Sequence, residues 1–132
     1  MDNYTQDQNE IRVAVHSVNQ YQKITLSGKL IYGKTNEVKE KIIQMLTVAE
    51  GYIFDANGLK MIDSTGLGML VTVVKQIKKQ NCPIVIVVKP GIIRELFMIA
   101  KFDLIFSIVE SEDEALQILS NEGSSCLPLD DY

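Results

Sequence analysis

Residues 61–70 read Met61-Ile62-Asp63-Ser64-Thr65-Gly66-Leu67-Gly68-Met69-Leu70. They lead from a turn signal at Asn57-Gly58 into a helix that the spacing carries to about Gln80. Asp63, Ser64 and Thr65 place three short oxygen-bearing side chains at the helix start, where four backbone N–H groups lack partners. Capping alone needs one such side chain. It also gives no reason for Gly66 and Gly68, since glycine costs a helix interior about 1 kcal/mol relative to alanine. The glycines are therefore read as clearing space around Ser64 and baring backbone that could face a phosphate at the positive end of the helix dipole.

Strands and helices alternate on both sides of this stretch. Upstream, residues 11–16 and 21–27 are rich in β-branched residues and flank Val18-Asn19-Gln20, so they predict an antiparallel hairpin. Thr35 is the expected N-cap of a helix with Val38, Ile42, Met45, Leu46 and Ala49 on one side and Gly51 at its end. Tyr52-Ile53-Phe54-Asp55 reads as a buried strand. Downstream, residues 84–88 form a second apolar strand, and Pro90 opens a helix reaching Ala100. Residues 105–109 form a last strand. Ser111 with Glu114 makes a capping box for a helix burying Ala115, Leu116, Ile118 and Leu119. This alternation calls for one α/β domain over residues 10–120, with a mixed, mostly parallel sheet, an antiparallel N-terminal hairpin and about four helices. Residues 1–9 and 121–132 lack periodicity and are expected to be flexible ends.

Composition narrows the function. Lys and Arg number 13 against 17 Asp and Glu in 132 residues, a formal charge of −4. Such a chain has no general electrostatic attraction to nucleic acid or anionic membranes. No apolar run approaches the length of a membrane span, and residues 1–10 show no secretory pattern, so a cytoplasmic location is expected. Cys82 and Cys126 lie far apart without a CxxC motif, which excludes a disulfide-rich scaffold and a structural zinc site. Glu110, Glu112, Asp113 and Glu114 suit a helix N-terminus better than a metal. The single histidine, His16, sits on the expected edge strand. A serine nucleophile needs a base, so neither an enzyme nor a cofactor is expected.

The segment Asp63-Ser64-Thr65-Gly66-Leu67-Gly68 resembles the STAS domain family, and within it the bacterial anti-sigma factor antagonists, whose signature is Asp-Ser-(Ser/Thr)-Gly-Leu-Gly. Ser27-Gly28-Lys29-Leu30, residues 102–106 and Glu112-Asp113-Glu114-Ala115-Leu116 support it. The resemblance implies a phosphorylation switch. Ser64 accepts phosphate from a kinase that is also the anti-sigma factor, the unmodified form binds that kinase, and a PP2C-type phosphatase resets the cycle. Asp63, Ser64, Thr65 and Gly66 are then the partner-binding centre. One departure stands out. Many antagonists carry an acidic residue soon after the glycine of the second strand, where this chain reads Gly28-Lys29-Leu30-Ile31-Tyr32-Gly33.

On a helical wheel Leu67, Leu70, Val71, Val74 and Ile77 are expected to face the sheet. Met69 and Val73 fall off that stripe. They are candidates for an apolar docking strip beside Ser64, the alternative being that a neighbouring helix covers them. The rival function is a non-catalytic STAS scaffold subunit of a lipid-transport or signalling complex.

Overall fold

The computed structural model describes residues 10–121. Its elements are β1 (Arg12–Val18), β2 (Tyr21–Leu30), α1 (Thr35–Met45), β3 (Tyr52–Ile62), α2 (Ser64–Lys78), β4 (Ile84–Val87), α3 (Ile92–Ile99), a short 3-10 turn (Phe102–Leu104), β5 (Ser107–Val109) and α4 (Glu112–Asn121). The expected flexible ends lie outside the described residues, except for Asn121 at the end of α4.

The five strands line up in chain order. β1 and β2 form the expected antiparallel hairpin around Asn19-Gln20, and every other pairing is parallel. Parallel neighbours need crossover helices, and these divide unequally over the two faces. Ile24, Leu26, Phe54, Ile86 and the inner sides of α1, α2 and α3 make one large core. Tyr21, Ile53, Val85 and Val87 turn to the opposite face, where Ala115 and Leu119 of α4 cover them. β4 is buried at all four positions because it carries cover on both faces. Phe97 stacks on Phe102 at a centroid distance of 5.1 Å, Phe106 meets Phe102 tilted at 5.3 Å, and the three close the core beneath α3.

Several local expectations change. Asn57-Gly58 is not a turn but the interior of β3, which runs on to Ile62. The pairing with β2 shifts register between Thr25 and Ser27, so β3 takes up an extra residue there. A Cβ on Gly58 would lie 2.7 Å from the Cβ of Ser27, which is why glycine sits at this bulge. Gly51 does not end α1, which stops at Met45. Instead Gly51 lets Leu119 and Tyr21 close in, at 2.9 and 3.1 Å from where a Cβ would stand. Thr35 is the first helical residue rather than a cap, and the capping position holds Lys34 without a side-chain bond. Pro90 precedes α3 instead of starting it, and the last strand begins at Ser107. Cys82 is buried beneath the chain that follows α1, its Sγ 3.6 Å from the Ala49 carbonyl oxygen.

The capping box forms with a one-residue offset. The Ser111 hydroxyl accepts from the Glu114 amide at 3.2 Å, while the Glu114 carboxylate accepts from Glu110 N–H at 2.9 Å. Glu112 binds Lys23 at 2.6 Å, with Asp55 3.5 Å from the same ammonium. The Glu112 contact ties the start of α4 to the sheet, and Asp55 of β3 shares the same ammonium.

Candidate functional site

β3 and α2 are separated by one residue, Asp63. Its backbone is extended and its carboxylate is the helix cap. Oδ1 accepts from the Gly66 amide at 3.0 Å and from the Thr65 hydroxyl at 2.7 Å. Oδ2 accepts from the Tyr32 amide at 2.9 Å. Its own N–H reaches the Leu30 carbonyl at 3.3 Å, and its carbonyl accepts from Leu67 at 2.9 Å. Asp63 therefore joins the end of β2, the chain following it and the first turn of α2. Hydrogen bonds from the Thr65 hydroxyl first, then from the Gly66 and Tyr32 amides, hold its carboxyl below the usual carboxylate range.

The three oxygen-bearing side chains have separate tasks. Asp63 caps, and Thr65 spends its hydroxyl on Asp63. Ser64 is exposed, and its hydroxyl makes no hydrogen bond with any described residue. That oxygen is the chemically available group of the triplet.

The glycines also differ. Gly68 is exposed and a Cβ there would meet nothing within 4 Å. Gly66 is buried, and a Cβ would stand 2.4 Å from the Leu30 carbonyl oxygen and 2.8 Å from Ile62 Cγ1. Gly66 thus seats the helix against the end of β2. The expectation that it lies open to a partner is overturned.

The docking strip is overturned as well. Met69 is 5% exposed and Val73 0%. Leu67 and Val71, expected in the core, are only half-buried. α2 packs on α1 as well as on the sheet, so two surfaces bury a wider arc of the helix than a wheel facing one surface allows. Neither Met69 nor Val73 can touch a partner.

Two large side chains lie near Asp63 without a sequence signal to mark them. Tyr32, whose amide binds Asp63, is 82% exposed. Met61, two residues before Asp63, is 47% exposed. Strand periodicity gives no rank to such residues, because only the turn that follows decides what lies beside them. His16 lies elsewhere. It pairs with Lys23, seven positions along β2 from Leu30, where β3 reaches Ile62. At about 3.3 Å per residue that is roughly 23 Å, too far to serve Ser64 as a base. Among the described residues no cluster of His, Cys, Asp and Glu could hold a metal ion, and no helix is long and apolar enough to cross a membrane.

Known proteins place this arrangement. The profile of the STAS domain family matches residues 13–115. The chain belongs to the STAS domain family. No curated protein matches it in sequence, but solved structures share its fold. An anti-sigma factor antagonist from Mycobacterium paratuberculosis superposes with a TM-score of 0.76 at 16% identity, covering 84% of this chain and 95% of that one. A variant of RsbS from Moorella thermoacetica gives 0.70 at 17% identity, with 84% and 97% covered. The Bacillus cell fate determinant SpoIIAA, solved in its phosphorylated form, gives 0.61 at 17% identity, with 82% and 99% covered.

Proposed function

We propose that this STAS protein is an anti-sigma factor antagonist, a binding protein and not an enzyme, whose choice of partner is set by phosphorylation of Ser64. The observation that carries this reading is the open Ser64 hydroxyl between two side chains already committed to each other. Modification at that oxygen breaks no hydrogen bond of the fold. A phosphate adds roughly −1.5 to −2 charges at neutral pH, and the N-terminus of a 15-residue helix tolerates negative charge. A partner docked over Ser64 must desolvate that dianion, so binding is lost without refolding. The solved antagonists of the same fold, one of them phosphorylated, support the reading.

The partners in this proposal are an anti-sigma factor serine kinase and a PP2C-type phosphatase, acting in the cytoplasm without a cofactor. Incubation with a cognate kinase and ATP is expected to add one phosphate to the wild type and none to Ser64→Ala. Ser64→Asp is expected to weaken kinase binding while leaving the melting temperature nearly unchanged. A wild type that binds such a kinase but takes no phosphate would favour the scaffold role.

A further inference from the structure

β3 is much longer than the strand beside it. Its pairing with β4 ends at Asp55, opposite Val87, while its pairing with β2 continues to Leu30 and Ile62. Among the described residues, 56–62 therefore have β2 on one side and no strand on the other. The chain leaves the sheet at Lys89, whose amide turns to the Asn57 side chain at 2.7 Å. Between the open side of β3 and the start of α3 lies a groove lined by Asn57, Leu59, Val88, Pro90 and Ile92. Ile92 is 69% exposed over it.

We infer that this groove seats an extended segment of the anti-sigma partner, which adds to β3 as a further strand; the inference rests on the function proposed above. An open strand side presents N–H and C=O groups in the plane of the sheet, and another extended backbone matches that pattern. Asn57 is tied to Asp55 and Lys89, so the free stretch is residues 58–62, roughly 15 Å at about 3.3 Å per residue, enough for about four residues of a partner. Lys60 and Lys89 are exposed along it. With the bulge at Gly58, a lysine is the usual guard against indiscriminate pairing, so the matching segment carries acidic side chains opposite them and an apolar one against Ile92. The open side runs directly into Asp63 and Ser64. One partner thus meets the backbone along β3 and the phosphorylation state at its end, which accounts for docking without Met69 and Val73.

The test is amide hydrogen exchange on the full chain, alone and with the purified kinase that modifies Ser64, together with affinities of Ile92→Asp and Lys89→Glu. On binding, the amides of residues 58–62 that do not bond β2 are expected to slow by about ten-fold or more. Ile92→Asp is expected to bind about ten-fold more weakly, a difference of ~1.4 kcal/mol, with its melting temperature unchanged. Lys89→Glu should also bind more weakly. If the kinase modifies Ser64 yet those amides keep their free rates and both variants bind like wild type, the groove proposal falls and the switch stands. Slow exchange in the free monomer means that the chain's own ends fill the groove, and slow exchange only on self-association means that a second copy does. Either result overturns the proposal. A kinase that neither binds nor modifies the wild type overturns both readings.

Discussion

Gly66 and Gly68 stand two residues apart in one helix and face opposite surroundings. The first is sealed against the Leu30 carbonyl, and the second has open space where a side chain would be. The same division runs along all of α2. Its inner arc, from Gly66 through Met69, Leu70, Val73, Val74 and Ile77, is buried, while Ser64, Thr65, Gly68 and Thr72 are exposed. The fold is held by one arc and the proposed switch lies on the other. The two functions share a helix because a helix turns its side chains through a full circle every 3.6 residues.

The most severe way to break that division is Met69→Lys. A charge at this buried position has no partner, so a loss of about 4 kcal/mol or more is expected, read as a collapse of the melting temperature. A variant that stays folded and merely loses partner binding would return Met69 to the surface. Next comes the glycine pair. Gly66→Ala presses a methyl against a backbone oxygen and should cost about 1–3 kcal/mol or more. Gly68→Ala meets nothing and should stabilise by about 0.5–1 kcal/mol. Equal effects in denaturant titrations would erase the contrast. The mildest probe is acid titration. The carboxyl of Asp63 titrates below its ordinary value in the fold, so its contribution is complete above the unfolded-state value and is lost as pH falls through the folded one. The amide resonances of Tyr32 and Gly66 should therefore shift with a midpoint below that of an ordinary aspartate. A midpoint at or above the ordinary value would separate Asp63 from both amides.

Alternation of strand and helix was legible in the sequence because burial on a sheet imposes periods of two and of about three to four on the apolar residues. A cap within Asp63-Ser64-Thr65 was legible because local chemistry decides it, whereas its assignment to Asp63 came from the structure. Asn57-Gly58 misled for a physical reason: a turn dipeptide and a strand bulge both need a glycine with room around its Cα. Gly66 misled in the same manner, since bare backbone serves a ligand and a neighbouring carbonyl equally well. Tyr32 and Met61 carried no signal, as their place beside Ser64 depends on where β2 ends relative to β3.

By itself the sequence determined the element order, the α/β class and the oxygen-rich helix start, all properties of residues close together in the chain. Only the tertiary structure decided which side of α2 is buried, that Asp63 reaches back to Tyr32, and that β3 outruns β4. Those depend on contacts between segments far apart in the chain, and no local pattern of side chains fixes how much of a helix or a strand its distant neighbours will cover.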